Sequence, residues 1–265
     1  MVDIKTAILI PARTGSTRFK GKPLVELGGK YMIQRVYDEC IKSKLDTYVL
    51  TDDWAIAEVM NVPSHIVVEE TKQFANGTER CSDAIRHKMF DQYDQFINVQ
   101  GDMPDVSFDM IVSTLFQLKH HSVATMYTDM QDGYNHARNN DLNRVKMIVD
   151  SSRRLMRCGR KQSALWFGRG LAYGEHHLGI YGYHRKALED YSSLEVPEEE
   201  TYEGLEQLRW LKAGYNIGCM YTDWNGIEIN TPEDAIAWRK RHGKVQNTAQ
   251  SSAAVHRYLT GDLPN

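Results

Sequence analysis

Cysteine is scarce in this chain and never paired. Cys40, Cys81, Cys158 and Cys219 lie far apart, with no Cys-x-x-Cys spacing. That argues against a thiolate metal cluster and against a disulfide framework. Four reduced, buried thiols in a cytoplasmic protein are the expectation. Long apolar runs are missing too. A bilayer span needs about 20 consecutive apolar residues, and no stretch approaches that length. The apolar stretch that follows the first residues is too short for a signal-peptide core. Nor is there an excess of one charge. Lys and Arg number 32, Asp and Glu 35, and the net charge is −3. This excludes a bulk field for nucleic acid or anionic lipid, so no nucleic acid and no membrane is expected as a partner. Any phosphate binding must come from a local cluster.

What is present has globular proportions, with 42% hydrophobic and 25% charged residues. A chain of 265 residues suits one α/β domain carrying an insertion. The run Thr6-Ala-Ile-Leu-Ile10, closed by Pro11, reads as a buried strand. Helical spacing follows over 31–44, then a strand over 47–51. Asp52 and Asp53 are placed to cap a short helix. Further strands are predicted over 65–68 and 95–99, and helices over 79–89 and 107–119. This alternation implies βαβ units and a parallel sheet. The second half alternates less cleanly. Strands are predicted over 144–149, 154–157 and 178–183, a helix over 205–213 and a strand over 217–222. A last helix is predicted to open at Thr231, with Pro232 first and Asp234 third.

Two loops follow predicted strand ends and therefore share the carboxyl rim, where ligands of such sheets sit. The first, 11–22, holds Arg13, Arg18, Lys20 and Lys22 among Gly15, Ser16, Thr17 and Gly21. Cations interleaved with glycine and hydroxyls can wrap a triphosphate. The same composition also describes a solvated basic loop. It is not a Walker motif, because Pro23 follows the Gly-Lys pair. In the second, Gln100-Gly-Asp102, a carboxylate at a strand end can hold Mg²⁺ or be a turn aspartate. Asn76-Gly-Thr-Glu-Arg80 joins a loop to a helix, with Thr78 as a possible cap. His176 and His177 are adjacent on a strand and so point to opposite faces, which argues against a shared metal. Glu206 and Gln207 fall on the helix predicted over 205–213, where surface polarity is the default.

In combination these segments carry more. Ile8-Leu-Ile-Pro-Ala-Arg13, Ser16-Thr-Arg18, Gly21-Lys-Pro-Leu24, Gly77-Thr-Glu-Arg80, Asn98-Val-Gln-Gly-Asp102-Met-Pro104, His177-Leu-Gly-Ile-Tyr-Gly-Tyr183, Leu205-Glu-Gln-Leu-Arg209 and Thr231-Pro-Glu-Asp234 occur in this order. From about residue 6 to about 240 the chain resembles the 3-deoxy-manno-octulosonate (Kdo) cytidylyltransferase family. The resemblance implies a single Rossmann-like α/β domain with a central mixed sheet over 1–243. Residues of about 130–185 would form a small antiparallel part for dimer contact and the sugar pocket. A polar tail would follow over 244–265. It implies a homodimer that joins CTP and an acidic sugar into a CMP-sugar with release of pyrophosphate. It also implies roles. Arg13, Lys22 and Asp102 would be catalytic. Pro11, Ala12, Arg13, Ser16, Arg18, Lys22, Asn76, Gly77, Thr78, Arg80 and Gln100 would bind the nucleotide. His177, Tyr181, Glu206 and Gln207 would bind the sugar acid. Asp102 would hold Mg²⁺, together with Asn230.

The chain departs from the family pattern at Asn230, where the family carries an aspartate metal ligand. Asn230 offers a neutral oxygen, so weaker metal affinity is expected. Glu228, two residues back, can compensate if the segment is a strand. The stretch 157–161 also differs, which leaves the identity of the acidic sugar open. A weakened sugar-nucleotide-binding protein is the alternative, with Asn230 as its motive. A glycosyltransferase is disfavoured, because Gly101–Asp105 holds no Asp-x-Asp.

Overall fold

A computed structural model describes residues 4–15, 19–129, 142–150 and 162–243. The strands are β1 (Thr6–Ala12), β2 (Glu26–Leu27), β3 (Lys30–Tyr31), β4 (Asp46–Thr51), β5 (Ile66–Val68), β6 (Gln95–Val99), β7 (Val123–Thr128), β8 (Lys146–Val149), β9 (Gln162–Gly168), β10 (Glu175–His184) and β11 (Ile217–Tyr221). The helices are α1 (Met32–Ile41), α2 (Trp54–Met60), α3 (Gly77–Ala84), α4 (Phe108–Gln117), α5 (Arg185–Tyr191), α6 (Glu198–Glu203), α7 (Leu208–Lys212) and α8 (Pro232–His242).

Nine strands form one sheet in the order β5-β4-β1-β6-β10-β7-β11-β9-β8. The first four pair in parallel. β10 then runs antiparallel to both β6 and β7, so the sheet is mixed, as the family resemblance implies, and not purely parallel. β2 and β3 form a separate small hairpin.

β1 explains why both faces are covered. Its alternate residues are all apolar: Ala7 and Leu9 on one face, Ile8 and Ile10 on the other, each fully buried. Ile8 and Ile10 pack with α1 (Ile33, Val36), α2 (Ile56) and α4 (Met110, Ile111). Ala7 and Leu9 pack with α3 (Cys81, Ala84), α5 (Leu188, Tyr191) and α7 (Leu208, Trp210). A third, smaller cluster joins Leu27 and Met32 to Ile229 and to Ala235 and Trp238 of the last helix.

Several expectations change. The helix predicted over 79–89 stops at Ala84. The Arg185 guanidinium takes the carbonyls of Ile85, Phe90 and Tyr93; of these, Ile85 O is the one that a helix running to residue 89 would have used. The helix predicted over 205–213 shrinks to α7, because Leu208 and Arg209 close tight turns onto Leu205 and Glu206. β7 and β9 were not expected. In β7 Thr125 and Thr128 are both buried, and Thr125 Oγ1 donates to Ile180 O at 2.8 Å. β8 pairs with β9; the expected partner over 154–157 lies outside the described residues. No residue of 222–230 is in a strand, so strand geometry does not place Glu228. Cys40, Cys81 and Cys219 are buried free thiols.

The start of α8 forms as predicted. Thr231 Oγ1 accepts from Asp234 N at 3.3 Å, and Asp234 Oδ2 accepts from Thr231 N at 2.8 Å, a reciprocal capping box. Thr231→Ala should cost about 1 kcal/mol and lower the thermal unfolding midpoint by roughly 2–4 °C. Calorimetry of the two proteins checks this.

Candidate functional site

The carboxyl ends of β1 and β6 build one rim. β1 ends in Pro11 and Ala12 and runs into Arg13. Its loop is tied back: Thr14 Oγ1 donates to Asp53 Oδ2 at 2.6 Å, and Gly21 N donates to Thr14 O at 3.2 Å. Asp53 also caps α2 through Ala55 N, as its position suggested. Lys22 is thereby brought to Asp102, with Nζ to Oδ2 at 2.7 Å and side-chain exposures of 17% and 25%. Among the described residues no other side chain bonds this carboxylate. Arg13 is exposed and reaches Phe74 O at 3.4 Å. Ser16 and Arg18 lie outside the described residues, and Lys20 is exposed.

The next wall is the start of α3. Asn76, not Thr78, is its cap: Oδ1 accepts from Glu79 N at 2.8 Å, and Nδ2 donates to Tyr191 OH at 3.1 Å. Gly77 passes so close to the rim that a Cβ there would lie 3.1 Å from Pro11 Cγ and 3.3 Å from the Gln100 amide. Thr78 is fully buried within the helix, with its hydroxyl against Tyr183 OH at 3.3 Å and its backbone N–H on Glu206. Arg80 pairs with Asp52 at 2.7 Å and lies over Phe74. Its Nη1 is buried with no hydrogen-bond partner among the described residues. A buried, unspent guanidinium donor facing a cleft asks for a polar ligand edge.

The third wall is β10 with the turn before α7. His177 Nε2 meets Thr125 Oγ1 at 3.0 Å, and its ring packs on Phe167. Burial, then His176 and Arg169, holds its pKa down at about 3, so His177 is neutral. Burial, then the Glu206 carboxylate, holds the Tyr181 and Tyr183 phenols well above their usual range, so both remain protonated. Glu206 accepts from Thr78 N at 3.1 Å and from Gln100 Nε2 at 3.2 Å. Glu206 and Gln207 thus face inward from a turn and not outward from a helix. Gln207 is 2% exposed, and its Nε2 lacks a partner among the described residues.

These walls enclose a cleft of about 640 Å³. It brings together Pro11, Ala12, Arg13, Lys22, Asn76, Gly77, Arg80, Gln100, Asp102, His177, Tyr181, Glu206, Gln207 and Asn230. It also takes in Arg169, Glu200 and Arg209, which sequence reasoning assigned no role. Arg209 and Glu200 form a buried pair with contacts of 2.7 and 2.5 Å, extended to Glu79 at 3.0 Å. The Leu205–Arg209 run was the one available signal for Arg209; Arg169 had none. Glu228 lines the cleft as well, with Oε2 3.7 Å from His176 Nε2. The donor set of Asp102, Glu228 and Asn230 is all oxygen. That suits a hard cation such as Mg²⁺, held by one or two carboxylates plus substrate phosphates.

Residues 7–217 match the family described as cytidylyltransferase. The chain belongs to the cytidylyltransferase family. Among curated relatives, it is 37% identical over 246 residues to the 8-amino-3,8-dideoxy-manno-octulosonate cytidylyltransferase of Shewanella halifaxensis, covering 87% of this chain and 96% of that protein. It is 36% identical over 239 residues to the 3-deoxy-manno-octulosonate cytidylyltransferase of Parabacteroides distasonis, covering 85% and 93%. Among solved structures, that of CMP:2-keto-3-deoxy-manno-octonic acid synthetase complexed with CTP superposes with a TM-score of 0.75 at 28% identity, over 90% of this chain and 98% of that one. The 4-diphosphocytidyl-2C-methyl-D-erythritol synthase of Anaerococcus prevotii, with a TM-score of 0.59 at 14% identity over 91% and 99%, shares the fold. The nucleotidyltransferase chemistry of the family gives the cleft its context.

Glu206 supplies a pH test. Burial pushes its carboxyl from 4.5 up to about 7, against the Thr78 hydrogen bonds that lower it. A folded-state pKa above the unfolded one means that stability from this group is complete below pH 4.5 and is lost as pH rises through 7. Glu206→Gln removes that titration. The unfolding midpoint of the wild type should therefore fall relative to Glu206→Gln between these pH values, with a constant difference on either side. Parallel pH profiles for the two proteins would contradict it.

Proposed function

We propose that the chain transfers the cytidylyl group of CTP to a 3-deoxy-2-keto sugar acid of the octulosonate kind, with Mg²⁺, releasing pyrophosphate. The observation that carries this is one cleft holding two chemistries. Its lining combines Arg13, Lys22 and Asp102 with neutral His177, protonated Tyr181 and the Glu206 carboxyl. The named relatives act on two such acids, which supports the substrate class. Pairing Lys22 with Asp102 supports a role beside phosphate, since a cation and a metal-binding carboxylate are then fixed at one point.

The reaction asks the protein chiefly to position and to neutralise. The anomeric hydroxyl of the sugar acid attacks the α-phosphorus, the bond to the β-phosphate oxygen breaks, and the hydroxyl proton passes to solvent. Arg13 and Lys22 offset the charge on the departing pyrophosphate. Arg80 and Gln100 present donors to the cytosine edge. Tyr181 and His177 hold the sugar. Asp102, with Asn230 or Glu228, would hold Mg²⁺, which when bound would supply further charge neutralisation and lower the pKa of the hydroxyl. A homodimer belongs to this reading. Its support is the exposure of Leu165 and Tyr173, at 56% and 72%, within the 130–185 region that the family resemblance assigns to the dimer contact. Free buried thiols support a cytoplasmic setting.

With CTP, Mg²⁺ and a panel of sugar acids, pyrophosphate should appear with an octulosonate acceptor and not with CTP alone. Lys22→Ala and Asp102→Asn should each lower kcat/KM about 10²–10³-fold, the usual effect of removing one group that stabilises developing charge. Tight CTP binding with no pyrophosphate from any acceptor would instead favour a nucleotide-binding protein without turnover.

Asn230 gives a separate prediction. If its neutral amide weakens the metal site, Asn230→Asp should lower the Mg²⁺ concentration needed for half-maximal rate. An unchanged value would sink the idea.

A further inference from the structure

A second groove, of about 1370 Å³, contains none of the site residues expected from sequence. It is lined by Arg35, Asp105, Trp224, Trp238 and His242, among others. Asp105 stands three residues after Asp102, on the same loop. Its Oδ1 accepts from Trp238 Nε1 at 2.7 Å and lies 3.2 Å from His242 Nε2. Its Oδ2 accepts from Ile227 N at 3.0 Å, and its carbonyl accepts from Trp224 Nε1 at 2.8 Å. Residues 222–230 have no helix or strand to hold them, yet they carry Glu228 and Asn230 into the cleft. Besides Asp105, Asp102 O accepts from Ile229 N at 2.9 Å. The approach is tight: a Cβ on Gly226 would fall 2.6 Å from Asp105 Cβ and 2.4 Å from the Trp224 ring. The far side is closed by Trp238, stacked on His242 at 3.9 Å with the Arg35 guanidinium 4.8 Å from its ring.

We propose that Asp105 is a positioning residue: its carboxylate clamps the 224–230 strap to the loop of Asp102 and so sets where Glu228 and Asn230 stand relative to Asp102. This rests on the reading of the cleft given above. The chemistry explains why aspartate is needed. A carboxylate accepts on both oxygens, and two N–H donors from different segments arrive, one at each. An asparagine would accept at one oxygen and turn an NH₂ toward the other donor. A glutamate would push the strap away by one methylene.

The test uses the full chain with Asp105→Asn, and Trp238→Phe as a milder variant that keeps the ring but removes one donor. Amide hydrogen exchange at Ile227 and Ile229 should quicken about tenfold in Asp105→Asn, the factor that one lost charged hydrogen bond implies. Exchange in β1 and β6 should stay unchanged. At a temperature where all proteins are folded, the Mg²⁺ concentration for half-maximal pyrophosphate release should rise severalfold, with a smaller rise in Trp238→Phe. A purely structural role would lower the unfolding midpoint and leave the Mg²⁺ dependence untouched; that result overturns the proposal, as does unchanged exchange at Ile227 and Ile229. If the wild type turns over no sugar acid, the functional reading fails separately. Mn²⁺ binding in the presence of CTP, followed by electron paramagnetic resonance, then replaces the rate measurement: weaker binding in Asp105→Asn supports the clamp, and equal binding overturns it.

Discussion

Parallel pairing of β1 with β6, Ala7 opposite Phe96 and Leu9 opposite Asn98, sets the geometry of everything at the site. A one-residue slip would exchange Ile8 and Ile10 with Ala7 and Leu9 between two cores packed around side chains of different size. The register is therefore held by burial on both sides of the sheet. The consequence for chemistry is local. Two loops leave adjacent strand ends side by side, and Lys22 on one comes within 2.7 Å of Asp102 on the other. Lys22 opens a single 3-10 turn over Lys22–Leu24, and Asp102 stands in a turn just past β6. The sheet aims them.

Around that rim the protein accepts buried charge. Arg209 is 2% exposed, with Glu200 and Glu79 as partners. Taking such charges from water is costly, and a buried pair often adds little net stability. Its position gives it another use. Asn76, the cap of α3, reaches toward Glu200 at 3.5 Å and bonds Tyr191 OH. The Arg209 guanidinium covers the Tyr191 ring, 4.2 Å from its centroid. The ion network thus fixes the end of α3 from below while Gly77 approaches the rim from above. Glu206 sits between these parts, accepting from α3 and from Gln100 at once. The start of α3 and the end of β6 thus share that one carboxylate.

What sequence made legible follows from range. The cap at Thr231 and the cap at Asp53 involve neighbours two or three residues away, so local chemistry decides them. β1 is apolar on both faces, which marks a covered strand. The end of α3 was hidden, because Arg185 ends it from about a hundred positions along the chain. The inward turn of Glu206 and Gln207 was hidden for the same reason: a spacing pattern that suits a helix cannot report a partner at Thr78. Burial of Thr125 in β7 depends on hydrogen bonds to His177 and Ile180 of β10, partners more than fifty positions away. The ordered family motifs located most of the cleft. Thr78 is fully buried and meets the cleft through Glu206.

Asn230 shows how fold and chemistry interlock. Its backbone N–H bonds Asp234 Oδ2 at 2.9 Å, so the residue is held by the same capping carboxylate that starts α8. That helix also presents Trp238 to Asp105. The cleft-facing strap is therefore gripped at both ends: by the cap of α8 at Asn230 and by the Asp102–Asp105 loop at Ile227 and Ile229. A strap fixed in this way can change its ligand chemistry one side chain at a time without losing its course. A neutral amide at 230 and a carboxylate at 228 are both compatible with the same backbone. The course of the strap rests on the Asp105 and Asp234 carboxylates, which bond its backbone N–H groups at Ile227, Asn230 and Thr231.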